Sequence, residues 1–272
     1  MKFAYLILAH KDPQQLARLL SLICVEGNSI YLHIDSKSDI DSFREQLAPY
    51  NSFITLTPNR ISVNWGGFSI IKATLALIHT YLSSGEKADY VHLISGQDLP
   101  LLPDPEIKKF FELNCSSNFM EWHPIPYKGW ANGGKDRLCY KWLMDEESQE
   151  KVDLLIDFQR RFHVQFELPS DITPFGGSQW WSLTHSCVEY LSKRCTPSDS
   201  LYQFFKYTFV PDELYFHTIL HNSEWKDTII NNNYRYIDWD TGPKHPLVLT
   251  ESDRPRWEAS GMFWGRKFES NT

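Results

Sequence analysis

The chain has 272 residues, 42% of them hydrophobic and 22% charged, which is enough for one large buried core and excludes a disordered chain. Its net charge of −7 excludes a protein that embraces nucleic acid through its overall field, so any phosphate ligand must be held by a local basic cluster. Five cysteines (Cys24, Cys115, Cys139, Cys187, Cys195) without CxxC spacing read as free thiols of a reducing compartment, with neither a disulfide framework nor a zinc site.

Phe3 to Ala9 reads as a buried first strand. It starts like a signal peptide, but the apolar run stops at His10-Lys11-Asp12-Pro13 without a small-residue cleavage site. Pro13 to Cys24 follows as a helix with Leu16, Leu19, Leu20 and Ile23 on one face. Ser29 to Ile34 is a second strand, then come a short helix around Ser42 and a strand near Phe53 to Leu56. After Trp65-Gly66-Gly67 the spacing of Ile71, Leu75, Ile78 and Tyr81 predicts a helix from Phe68 to Tyr81. The strand Tyr90 to Ile94 leads into the loop Ser95-Gly96-Gln97-Asp98. Asp104-Pro105 opens another helix, with Asp as its cap, and Asn118 to Trp122 is a further strand. The second half is more mixed. It has a polar loop from Pro124 to Asp136, a helix near Glu147 to Phe162 and a strand from Ser178 to Leu183. Helices follow around His185 to Lys193 and Asp212 to His221, and the chain ends in an irregular basic-aromatic tail.

This βαβα order implies an α/β fold, a mostly parallel sheet with helices on both faces. Ligands in such sheets bind beyond the carboxyl ends of the strands, so His10, Asp35 and Ser95 to Asp98 should converge on one crevice. No apolar stretch approaches the roughly 20 residues needed to cross a bilayer, and no repeat or linker divides the chain. One continuous domain over 1–272 is expected.

Eight segments carry a family resemblance: AYLILAHKDPQQLARLL, IYLHIDSKS, VNWGGFSIIKATLALI, YVHLISGQDLPLLPDPEI, GSQWWSLT, VPDELYFHTIL, YRYIDWD and MFWGRKF. In this order they resemble the core-2/I-branching β-1,6-N-acetylglucosaminyltransferases and peptide O-xylosyltransferases. The resemblance implies a GT-A-type, Rossmann-like nucleotide-sugar fold, inversion at the anomeric carbon, a UDP-sugar donor and no metal or other cofactor. It makes 1–122 mainly the nucleotide-binding half and 123–272 mainly the acceptor-binding and catalytic half.

Inverting transfer needs one carboxylate to take the proton of the acceptor hydroxyl as it attacks opposite the UDP. Val210-Pro211-Asp212-Glu213 reads as a helix start whose dipole should keep a carboxylate ionised, and the resemblance makes Glu213 the catalytic base. Where metal-dependent relatives carry Asp-x-Asp, this chain has only Asp98, so cations must offset the diphosphate charge. Lys267 matches the family's phosphate-binding Lys, Lys244 falls at the spacing of its Arg, and Arg266 is the further candidate. Each such cation near about 4 Å is worth about 4 kcal/mol at an effective dielectric of about 20.

For the donor, His10 and Asp35 stand at the strand ends the family uses for the nucleoside, Gly67 permits close backbone approach, and Asp98 is a pocket candidate. For the acceptor, the resemblance points to Glu121 and Arg137 on acceptor hydroxyls and Trp239 against a sugar. Trp180 and Trp181 share a strand, so at most one reaches the cleft; Trp181 is taken as that residue. Asp238-Trp239-Asp240 is a literal Asp-x-Asp but lies far past the usual metal position.

Compared with the animal enzymes the chain has no anchor or stem, a shorter middle and no disulfide-forming cysteine pattern. A bacterial, cytoplasmic member is expected, with a glycan or lipid-linked glycan acceptor for surface polysaccharide, peripheral contact with the inner membrane and no nucleic-acid partner. Two other readings stay open: a metal-dependent transferase using Asp98 or Asp238 with Asp240, and a non-catalytic glycan-binding relative.

Overall fold

The computed structural model describes residues 1–240 and 245–271. Strand β1 (Phe3–Ala9) is apolar on both faces, as a strand covered from two sides must be. Asp12 caps helix α1 (Pro13–Ile23) by accepting the Gln15 amide at 3.0 Å. Then come β2 (Asn28–Ile34), α2 (Ile40–Leu47, capped by Asp39), β3 (Ile54–Leu56) and α3 (Ser69–Ser83). Strand β4 (Tyr90–Ser95) turns at once into a short strand β5 (Asp98–Pro100) where a loop was expected. In α4 (Asp104–Leu113) the cap position is Pro103, not Asp104. Asp104 sits one residue inside, where its carboxylate accepts from Asn28 at 2.8 Å and pairs with Lys108 at 2.8 Å.

The second half runs through β6 (Asn118–Pro124), α5 (Lys135–Cys139), α6 (Gln149–Arg161), the long β7 (Phe175–Thr184), α7 (His185–Arg194) and α8 (Ser200–Phe205). Here the expected helix from Asp212 breaks in two. Pro211–Glu213 is a single 3₁₀ turn, Leu214 leaves helical geometry, and α9 covers Tyr215–His221. The tail read as irregular holds β8 (Ile229–Ile230), β9 (Arg235–Ile237), α10 (Arg254–Ser260) and β10 (Trp264–Arg266).

The main sheet has the order β3-β2-β1-β4-β7-β6-β8, parallel from β3 to β4, with β7 antiparallel to both β4 and β6. It is the mixed, mostly parallel α/β sheet that the element order implied. One face carries Leu6, Val91, Leu93 and Trp181 against α3, α7 and α9; the other carries Tyr5, Ile7 and Ile94 against α1 and α4. Tail strands β9 and β10 join β5 in a second sheet, β5-β10-β9, packed on that second face through Trp264. His92 lies there among Phe3, Tyr5, Phe111 and Trp264. Burial lowers its pKa well below the ordinary imidazole value, so it is a neutral core residue.

Two features of this topology place the site. Strand β7 pairs with β4 only from Leu93↔Trp181 to Tyr90↔Thr184, so Phe175 to Trp180 run past the paired part of β4 towards and beyond its carboxyl end. In that stretch the β6–β7 ladder slips: Met120 faces Trp181, but Trp122 faces Gly177. Glu121 alone therefore stands against Ser178, Gln179 and Trp180, an irregularity that bends β7 and re-aims the side chains there. Gly177 is obligatory at this point, since a Cβ would lie 1.9 Å from the Glu121 carbonyl oxygen.

Candidate functional site

The carboxyl ends of β1, β2 and β4 collect one group of residues. Asp35, buried at the end of β2, accepts the amides of Lys37 at 2.8 Å and Val63 at 3.3 Å. The loop carrying Val63 is fastened to the same strand end. Arg60 donates to the carbonyls of Ile34, Asp35 and Ser38, and the Ile61 amide donates to His33 Nε2 at 2.9 Å. His10, after β1, is kept neutral first by desolvation and then by repulsion from Lys11, Arg266 and Lys267.

Arg266 and Lys267 reach this place because β10 pairs with β5, opposing Arg266 to Asp98. Asp98 is fully buried; it accepts the Ser95 amide at 3.0 Å and Arg266 Nη1 at 2.9 Å. Its carboxylate therefore orients Arg266 and does not line a donor pocket, a correction to its expected place. Arg266 in turn lies over the Trp180 ring at 4.6 Å. Lys267, four-fifths buried, has its pKa lowered by burial and then by Lys11. Glu269 faces both lysines, 2.8 Å from Lys11 Nζ and 3.6 Å from Lys267 Nζ. The remaining cation candidate, Lys244, lies outside the described residues.

A second group lies where β7 projects. Glu213 Oε2 meets Arg137 Nη1 at 2.6 Å, with about a quarter of each side chain exposed. The Arg137 guanidinium lies on the Trp130 ring at 3.7 Å, and Trp130 abuts Gly176 of β7. The turn bearing Glu213 is held by the Val210 amide, which donates to the Gly66 carbonyl at 2.9 Å. Val210 itself has φ 51°, a left-handed conformation costly for a β-branched residue. Gly67 serves this frame as well, since a Cβ would fall 2.3 Å from the Asp145 carboxylate that accepts from Ser69 at the start of α3. The close approach expected at Gly67 is thus to Asp145.

The electrostatics of this group differ from the expectation. A three-residue turn lacks the dipole of a helix, and burial raises the pKa of Glu213, opposed by the charge and hydrogen bond of Arg137. Burial and then Glu213 push Asp212 up to about 7, and the same two causes raise Glu121. A raised pKa makes each a stronger proton acceptor once ionised.

Trp181 is fully buried between Leu93 and the α9 residue Phe216. Trp181 therefore does not reach the cleft, a correction to its expected place; its neighbour Trp180 is also buried and lies under Arg266. Trp239 is 56% exposed. Beside it Asp238 is buried and taken up by Arg256 and the Asp240 amide, so this Asp-x-Asp does not present two open carboxylates. The sequence reading missed Lys11, Glu269, Trp130 and Asp212. Lys11 could have been found by applying the strand-end rule one residue past His10; the other three depend on long-range packing.

The two groups flank one segment of strand. Gly176, whose Cβ position lies 3.0 Å from the Glu213 carbonyl oxygen, and Trp180, under Arg266, are separated by about 13 Å at ordinary strand rise.

Rat xylosyltransferase 2 is 28% identical over 99% of this chain, and the human protein 29% identical over the same share. The alignment spans 32% of each relative, so the chain corresponds to about a third of their length. Among solved structures, S. aureus TarS 1-349 in complex with UDP-GlcNAc aligns with 48% of this chain and 36% of that one, at 12% identity and a TM-score of 0.32. The family model for the core-2/I-branching enzyme matches residues 3–254, and the chain belongs to that family.

Proposed function

We propose that this chain is an inverting, metal-independent glycosyltransferase of the GT-A kind that moves a GlcNAc- or xylose-like sugar from UDP to a glycan hydroxyl. The observation that carries this reading is the opposed pair of charged groups at the two ends of the projecting β7 segment. Glu213 takes the proton of the acceptor hydroxyl while the acceptor oxygen bonds to the anomeric carbon. The anomeric carbon–oxygen bond to UDP breaks, and UDP leaves with the electron pair. Arg266 and Lys267 stabilise the charge that develops on the diphosphate, with Lys244 as a third candidate. His10 and Asp35 serve the nucleoside; Glu121, Arg137 and Trp239 serve the acceptor, with Arg137 also moderating Glu213.

The alternative of a metal held by Asp98 or by Asp238 and Asp240 is less well supported, because arginines already occupy Asp98 and Asp238. We further place the reaction in a reducing, bacterial cytoplasm, in keeping with five free thiols, acting on glycan or lipid-linked glycan for surface polysaccharide. Among the described residues no helix is long and apolar enough to cross a membrane.

Two assays test the reading. UDP at a hundredfold excess over Kd should stabilise the fold by about 2.7 kcal/mol in a thermal shift. Sugar transfer or UDP-sugar hydrolysis should persist in EDTA. Activity restored only by manganese would favour the metal-dependent reading, and no response to UDP would favour a glycan-binding protein.

A further inference from the structure

We propose that Lys11 is a further donor-binding residue, acting with Lys267 on the diphosphate, and that Glu269 is an internal counter-ion which the diphosphate displaces. This rests on the reading of the chain as a UDP-sugar enzyme and extends it to residues not yet given a role.

The geometry that carries it is a carboxylate seated between two of the cations at the strand ends. Glu269 Oε1 lies 2.8 Å from Lys11 Nζ and 3.6 Å from Lys267 Nζ, and Gln97 Nε2 donates to it at 3.4 Å. Lys11 follows the end of β1, next to His10, while Lys267 arrives from β10, far away in sequence. Two lysines so close repel each other, and each disfavours the charged form of Lys267 or His10. An anion is required to hold them together. Glu269 supplies a single negative charge on two oxygens. A diphosphate supplies at least two charges on more oxygens, so exchange of one for the other is favoured by the cations themselves.

The displacement needs little motion. The backbone on either side of Glu269 is tied down, with the Phe268 amide donating to the Gln97 carbonyl at 2.8 Å and the Ser270 amide donating to Asp12 Oδ2 at 2.8 Å. Its side chain is about a third exposed, and that of Lys11 is 42% exposed. Rotation of the Glu269 side chain towards solvent therefore frees both lysines while the tail stays in place. While seated, the carboxylate opposes an incoming phosphate. Binding of the donor is then weaker than the bare cations would allow, and UDP is released more readily after transfer.

Calorimetric titration of the full chain with UDP and, separately, with inorganic pyrophosphate tests this in the wild type, Lys11→Met, Glu269→Gln and the double variant. Glu269→Gln should bind both probes three- to tenfold more tightly, and Lys11→Met at least fivefold more weakly. In the double variant the gain from Glu269→Gln should shrink by half or more. Unchanged or weaker binding by Glu269→Gln overturns the displacement and makes Glu269 a support for the lysines. Unchanged binding by Lys11→Met removes Lys11 from the site, and absence of pyrophosphate binding in both wild type and Glu269→Gln overturns the whole proposal. The two probes keep it apart from the reading beneath it. UDP binding no tighter than pyrophosphate would remove the nucleoside pocket, while the variants still report on the lysine pair.

Discussion

The two ends of the projecting β7 segment are built with opposite signs and by different means. At the β4 end, Lys11, Arg266 and Lys267 face Asp98 and Glu269, an excess of positive charge assembled from segments far apart in sequence. At the Gly176 end, Asp212, Glu213 and Glu121 form an excess of negative charge whose members titrate above their ordinary range, with Arg137 paired to Glu213. The cations are held by carboxylates, Arg266 by Asp98 across the second sheet and the two lysines by Glu269. The carboxylates are made more basic by burial and then by crowding, with the Arg137 guanidinium opposing the rise at Glu213. In the proposed reaction a leaving diphosphate and an acceptor proton ask for these two different treatments.

The comparison breaks most severely where the strand frame of the carboxylate end is disturbed. Gly177→Ala would drive a Cβ into the Glu121 carbonyl, and we expect a loss of about 3 kcal/mol or more in denaturant unfolding. At the cationic end, Arg266→Ala should weaken UDP binding by about ten- to a hundredfold. That corresponds to loss of a charge-assisted contact worth about 1.5–3 kcal/mol, with Asp98 left buried beside a void.

Smaller effects sharpen the contrast in titration. An unfolded aspartate titrates near about 3.9, whereas Asp212 in the fold titrates at about 7. The folded chain therefore holds more protons across that interval, and this group's contribution to stability falls as pH rises from about 4 to 7. Asp212→Asn should accordingly gain thermal stability relative to wild type as pH rises through the window; a constant difference would contradict the assignment. Last, Val210→Gly should relieve the left-handed strain beside Glu213 and raise stability by about 1 kcal/mol.

What the sequence made legible follows the same division. Strands β1, β2 and β4 and helices α1 and α3 were readable because each is buried along a regular face, so apolar spacing reports them directly. The short strands β5, β9 and β10 were not, because three residues are too few to show a period and their partners lie far away in sequence. Glu213 and Arg266-Lys267 stood out through motifs, yet the support from Asp98 depends on pairing that no local pattern displays. The placing of Trp181 in the cleft failed for a related reason. No local pattern shows that Trp181 pairs with Leu93 or that both it and Trp180 are buried in the core.

The most direct test of the two-ended account is a paired measurement on Glu213→Gln, of kcat for sugar transfer and of Kd for UDP. Removal of a proton acceptor should lower kcat by about 10²- to 10⁴-fold and leave the UDP Kd within about twofold of wild type. Near wild-type turnover, or a loss of UDP affinity as large as the loss of rate, would contradict it.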